Sequence, residues 1–95
     1  MALVSGPQRA SVIGTGLLGG SIGLALRQRG WTVSGTDLDP AAEARALELG
    51  AIDAIGMDPD ATITFVAAPV RAIAHEVRRA LAATRGVVTD VGSVK

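Results

Sequence analysis

Short apolar runs alternate along the chain with segments in which apolar residues recur at helical spacing. Residues 10–13 form such a run and end at Gly14, after which Leu18, Ile22 and Leu26 recur every fourth position. Continued to the end of the chain, this pattern predicts strands at residues 10–13, 31–35, 63–67 and 87–89. It predicts helices from Leu17 to Arg29, from Pro40 to Leu49, and from Pro69 to about Thr84.

Strands that alternate with helices indicate an α/β fold with a parallel sheet. The strands are short, mostly apolar and free of charged residues, as expected of strands covered by helices on both faces. Gly30 and Gly50 follow the first two helices as C′ residues, and Asp39 precedes Pro40 as an N-cap. On the third helix we expect one buried stripe, formed by Val70, Ile73, Ala74, Val77 and Leu81.

Composition narrows the function classes. The chain has 95 residues, enough for one compact domain, and 48% are hydrophobic although only 2% are aromatic, so the core should be aliphatic. Nine basic and nine acidic side chains cancel, which argues against a nucleic-acid partner. Without cysteine there is neither a disulfide framework nor a thiolate metal site, and we expect no metal. The start of the chain lacks signal-peptide features and no run reaches the length of a membrane helix, so we expect a cytoplasmic protein.

The turn after the first strand reads Gly-Thr-Gly-Leu-Leu-Gly, and each glycine has a separate task. Gly14 permits a tight turn, Gly16 lets a pyrophosphate approach the backbone, and Gly19 lets the helix pack closely, a contact that Gly23 would extend. The helix N-terminus would offer N–H groups to the phosphates. The turn therefore predicts a Rossmann-like dinucleotide site that includes Gly14, Thr15, Gly16, Leu17, Leu18 and Gly19.

An acidic residue at the end of the second strand supports this interpretation. Asp37 lies 18 residues after Gly19, close to the spacing of about 20 for the acid that binds the adenosine ribose. A carboxylate there would repel a 2′-phosphate, which favours NAD over NADP, and Leu38 beside it would also contact the cofactor. Asp39 is a rival ribose ligand, but its place before Pro40 favours helix capping.

Three stretches carry a family resemblance: the turn continued through residues 19–26, Ala-Pro-Val at 68–70, and Asp-Val-Gly-Ser-Val-Lys at 90–95. Together they resemble the N-terminal domain of prephenate dehydrogenase, including its arogenate-using relatives. The likeness runs from about Ala10 to Lys95.

The resemblance implies oxidative decarboxylation of prephenate to 4-hydroxyphenylpyruvate in tyrosine biosynthesis, with hydride transfer to NAD. It implies that Ala68 and Pro69 lie beside the cofactor. Ser93 would lie near the nicotinamide and position the substrate hydroxyl and a catalytic histidine, while Lys95 would lend positive charge or simply be solvated.

Other parts of the family pattern would lie beyond Lys95: the catalytic histidine, the substrate-binding arginine and a helical domain for substrate binding and dimerisation. Residues 1–95 would then be the N-terminal part of an incomplete doubly wound domain, in a homodimeric enzyme that acts on prephenate or arogenate. We expect residues 1–95 alone to be inactive, because His75, the one histidine, is predicted to lie on the helix surface.

Two other functions stay open. One is another NAD(P)-dependent dehydrogenase, of the β-hydroxyacid type, built on the same half-domain. The other is a module that senses NAD and performs no chemistry, because a fold does not determine a function.

Overall fold

The computed structural model describes residues 8–68 and 70–91. The strands in this part of the chain are β1 (Arg9–Ile13), β2 (Thr32–Thr36), β3 (Ala54–Ile55), β4 (Ile63–Val66) and β5 (Val87–Asp90), and the helices are α1 (Leu17–Gln28), α2 (Pro40–Glu48) and α3 (Val70–Ala83). All strand pairs are parallel, and the strand order is β3-β2-β1-β4-β5. The predicted α/β class with a parallel sheet is confirmed.

The sheet has five strands in the described region, one more than the sequence predicts. The added strand, β3, has only two residues, which pair with Ser34 and Gly35 at the edge of the sheet. Both of its residues are exposed. A two-residue exposed strand carries no alternation of polar and apolar positions, so the hydrophobic pattern could not reveal it.

The core consists of two aliphatic clusters, one on each face of the sheet. Val12 packs with Val33 and Ile52 on the face covered by α1 and α2, while the next residue, Ile13, packs with Val66 and Ala80 on the face covered by α3. Neighbouring residues of a strand point to opposite faces, so β1 contributes to both clusters. The prediction of helices on both faces is therefore confirmed.

The helix ends follow their sequence signals. Gly30 and Gly50 adopt positive φ angles of 88° and 78° just after α1 and α2, the left-handed conformation that glycine tolerates best at a helix C′ position. At the start of α2 the Asp39 carboxylate accepts a hydrogen bond of 3.0 Å from the Ala41 amide. The predicted capping role of Asp39 is confirmed.

The buried face predicted for α3 is partly wrong. Ile73 and Val77 are half-buried as expected, but Ala74 is exposed and Leu81 is 60% exposed. Among the described side chains of α3, Glu76 and Ala80 are buried most deeply, and Ala72 is half-buried beside them. The face toward the sheet is therefore shifted toward Glu76 and Ala80, and Leu81 points outward. The side chain of Val70 lies outside the described part.

An ion pair joins the start of β1 to the loop before β4. The Arg9 guanidinium donates to both carboxylate oxygens of Asp58, at 2.7 and 2.8 Å. These hydrogen bonds hold the pKa of the Asp58 carboxyl below its ordinary value, against the opposing effect of burial. The Asp58 amide also donates to the buried Ser11 hydroxyl, so the loop is fixed to the central strand at two points.

We expect substitutions at two adjacent glycines of α1 to have opposite effects on stability. In Gly19→Ala the new Cβ would overlap the carbonyl oxygen of Gly14, so the variant should lose about 1–3 kcal/mol of unfolding free energy. In Gly20→Ala the nearest atom, the Thr15 carbonyl oxygen, is 3.6 Å away, and the higher helix propensity should add up to about 1 kcal/mol. Urea unfolding of both variants tests this; equal effects would contradict the close approach at Gly19.

We expect Asp58→Asn to lower stability at neutral pH and to have less effect in acid. The pKa of Asp58 is lower in the folded chain than its ordinary value of 3.8. Its contribution is thus fully present above that value and is lost as the pH falls through the folded pKa. Urea unfolding of both proteins at pH 7, 5 and 3 should show the difference narrowing only at the lowest pH. A difference independent of pH would refute the pairing.

Candidate functional site

A cleft of about 250 Å³ lies where β1, β2 and β4 end. Two backbone hydrogen bonds hold these strand ends together: the Gly14 amide donates to the Thr36 carbonyl, and the Ala67 amide donates to the Ile13 carbonyl, both at 2.7 Å. In open parallel sheets, ligands bind in the crevice outside the carboxyl ends of the strands, where the strand order reverses. Here β2 and β3 lie on one side of β1, and β4 and β5 lie on the other side, so the strand order reverses at β1. The residues that line the cleft are Ile13, Gly14, Thr36, Asp37, Leu38, Asp39, Ala68, Glu76 and Arg79.

Two glycines fix the turn that leads from β1 into α1. Gly14 has a φ of 93°, and a Cβ there would lie 2.7 Å from the carbonyl oxygen of Ala67. A Cβ at Gly19 would overlap the Gly14 carbonyl oxygen and lie 3.0 Å from Cγ1 of Val12. The tight turn and the close packing predicted for these two positions are thus present. Gly23 is also closely packed, but against the Ala51 carbonyl after α2 rather than against the sheet.

The N-terminus of α1 is open. Gly16 is the N-cap, no side chain caps the helix, and the first turn holds no acidic residue. Among the described residues, a Cβ at Gly16 would meet no atom within 4 Å, and Leu17, which follows, is 91% exposed. The first N–H groups of a helix have no partner within the helix, so this end can accept an anion.

Asp37 is held directly against the glycine turn. Its Oδ2 accepts hydrogen bonds from the Thr15 amide at 2.7 Å and from the Thr15 hydroxyl at 3.3 Å. Its Oδ1 accepts from the Asp39 amide at 2.8 Å, and its own amide donates to Glu43 at 2.9 Å. These bonds fix the carboxylate in place, while two oxygens with about four acceptor sites retain capacity for a ligand hydroxyl.

The structure locates most of the other predicted site residues. Leu38, 75% exposed, and Ala68, 8% exposed, both line the cleft. Leu18 is 48% exposed on the first turn of α1. Pro69, Ser93 and Lys95 lie outside the described residues, so their roles stay predictions. His75 is exposed on α3, as predicted.

Two residues that line the cleft were not predicted from the sequence. Glu76 and Arg79 lie on α3, far along the chain from the glycine turn, and Arg79 Nη1 is 2.8 Å from Glu76 Oε1. The cation nearest to Asp37 in sequence after it, Arg45, instead lines a separate groove beside α1. One sequence feature could have predicted Glu76. Ala72, Glu76 and Ala80 are spaced by four residues, so they share a face of α3 that differs from the predicted apolar stripe.

Two other kinds of site are absent from residues 8–68 and 70–91. Histidine, aspartate and glutamate side chains form no group there that could hold a metal ion. No helix in these ranges has both the length and the hydropathy needed to span a bilayer.

Comparisons with solved structures connect this geometry to known enzymes. The chain is similar to Synechocystis arogenate dehydrogenase, with 30% identity and a TM-score of 0.83 over 93% of this chain and 34% of that one. It is similar to prephenate dehydrogenase from A. aeolicus in complex with hydroxyphenyl propionate and NAD+, with 27% identity and a TM-score of 0.81 over 96% and 35% of the two chains. The chain thus spans about a third of the length of these relatives.

A third structure shares the fold alone. Mycobacterium tuberculosis 3-hydroxyisobutyrate dehydrogenase superposes with a TM-score of 0.80 but is only 18% identical, over 94% of this chain and 33% of that one. A comparison with curated protein sequences found no match.

A family model described as "Prephenate dehydrogenase, nucleotide-binding domain" matches residues 22–95. This match begins after the glycine turn and covers well over half of the chain, and the structural similarity to the two dehydrogenases includes the preceding residues. The chain therefore belongs to the family of prephenate dehydrogenase nucleotide-binding domains, and its Rossmann-like fold is that of the relatives.

Proposed function

We propose that this chain binds NAD as part of a prephenate or arogenate dehydrogenase. The observation that carries the proposal is the hydrogen bonding of the Asp37 carboxylate to Thr15 in the glycine turn. It supports the proposal because a carboxylate that could accept hydrogen bonds from a ribose then lies beside the start of α1 and lines the cleft. The A. aeolicus relative was solved in complex with NAD+, which supports the same cofactor here.

The pyrophosphate would lie at the start of α1. The amides of Leu17 and Leu18 belong to the first turn of the helix. That turn contains no acidic side chain that would neutralise the positive end of the helix dipole. The interaction of a phosphate with a helix N-terminus contributes about 0.3–1 kcal/mol, and up to about 2 kcal/mol where it is partly buried. Because Gly16 has no side chain, the phosphates can reach these amides.

The adenosine ribose would lie on Asp37. A carboxylate accepts hydrogen bonds from vicinal hydroxyls, whereas a 2′-phosphate would bring two like charges together. Asp39 adds a second carboxylate to the same cleft. These two acids support a preference for NAD over NADP, although the cleft also contains the cation Arg79, which is paired with Glu76.

The activity of the whole enzyme rests on the family. We propose oxidative decarboxylation of prephenate or of arogenate, with Pro69 and Ala68 beside the cofactor and Ser93 near the nicotinamide. The catalytic histidine, the substrate-binding arginine and a helical dimerisation domain would belong to further sequence, in a homodimeric cytoplasmic enzyme. The β-hydroxyacid alternative has support only at the level of fold.

We expect Gly16→Val to weaken NAD binding at least tenfold while the fold persists. The new side chain would enter space in which a Cβ meets none of the described residues, but which the pyrophosphate would need. Calorimetric titration of NAD into both proteins measures the effect, and Gly20→Ala on the same helix is the control. An unchanged affinity of the Gly16→Val variant for NAD would contradict the proposed location of the pyrophosphate at this turn.

We expect Asp37→Ser to weaken NAD binding by one to two powers of ten. Hydrogen bonds to a charged group contribute about 1.5–3 kcal/mol each, and about 1.4 kcal/mol corresponds to tenfold in affinity. The ratio of NADP to NAD affinity should rise, because a repulsive charge is lost and Arg79 lies in the same cleft.

The matched control for this experiment is Asp39→Ser. It removes the same charge from the same cleft, and serine can still cap α2. If the cofactor ratio moves in Asp39→Ser and stays constant in Asp37→Ser, Asp39 is the ribose ligand.

A further inference from the structure

A buried carboxylate in the wall of the cleft is unexplained by the fold. The side chain of Glu76 is only 3% exposed, and its partner Arg79 is 51% exposed. Burial of a carboxylate is costly unless hydrogen bonds compensate for lost water. Within the described part of the chain, the hydrogen bond found for this carboxylate joins Oε1 to Arg79. A neutral or apolar side chain beside Ala72 and Ala80 would pack on the sheet without that cost.

The position of Glu76 suggests what it contacts. Asp37 and Leu38 line the cleft on the side of β2, while Glu76 and Arg79 line it from α3. With the phosphates at the start of α1 and the ribose on Asp37, the base attached to the ribose must extend into the remaining part of the cleft. That part is bounded by α3.

We propose that Glu76 accepts a hydrogen bond from the exocyclic amino group of adenine, and so selects a 6-aminopurine dinucleotide over a 6-oxopurine one. The inference rests on the proposed NAD site. An ionised carboxylate only accepts hydrogen bonds, so it complements the amino group of adenine and opposes the oxygen that replaces it in hypoxanthine. Arg79 engages Oε1, which leaves Oε2 for the base.

The test compares NAD with nicotinamide hypoxanthine dinucleotide, whose base carries an oxo group in place of the 6-amino group and a proton on N1. The unmodified chain should bind NAD at least tenfold more tightly, because the oxo analogue leaves a buried acceptor facing another acceptor. In Glu76→Gln the preference should fall to within about twofold, since the amide of glutamine both donates and accepts. The matched control is Glu48→Gln, the same change on the exposed surface of α2, which should keep the original ratio.

The outcomes separate the two proposals. If neither dinucleotide binds the unmodified chain, the proposed NAD site is wrong. If both dinucleotides bind the unmodified chain equally, the proposed NAD site stands and the proposed role of Glu76 is wrong. This comparison uses only the unmodified chain, so it does not depend on the folding of a variant. A Glu76→Gln variant that binds NAD and retains the original ratio would also overturn the inference, whereas loss of discrimination in this variant alone supports it.

Discussion

The close approach of α1 to the end of β1 is the constraint on which the site depends. At Gly19 a single added carbon would overlap the carbonyl oxygen of Gly14, and at Gly14 it would crowd the carbonyl of Ala67. Backbone therefore packs on backbone at the point where β1, β4 and α1 meet. This contact directs the N-terminus of α1 toward the carboxyl ends of the strands, so the end of the helix proposed to bind the pyrophosphate and the cleft share one edge of the sheet.

The hydrogen bonds between Asp37 and Thr15 connect that contact to the second strand. They tie the glycine turn to the end of β2, although the two residues belong to different strand–helix units. The same carboxylate also receives the Asp39 amide, at the start of α2. One acidic side chain thus organises the ends of β1 and β2 before any ligand arrives, which reduces the ordering that binding would require.

Sequence alone could predict the features that depend on local chemistry. The glycine turn, the acid after β2, the Asp39 cap and the C′ glycines each require a particular residue type at a particular place, and each appears as predicted in the structure. Two features depend on packing and were missed or misjudged. The edge strand β3 is held by backbone pairing with β2, and α3 buries Glu76 and Ala80 more deeply than Ile73, Val77 or Leu81.

The orientation of α3 bears on the selectivity proposed for the cleft. Had Leu81 faced the sheet, Glu76 would lie nearer the edge of the interface, because the two residues are separated by five positions and so by about 140° around the helix. Burial of Ala80 beside the half-buried Ala72 instead carries Glu76 into the wall of the cleft. In the proposed NAD site, a local motif therefore sets the phosphate and ribose positions, while the packing of a distant helix sets the base position. Substitutions that enlarge Ala72 or Ala80 would change the α3 side of the cleft and leave the glycine turn intact.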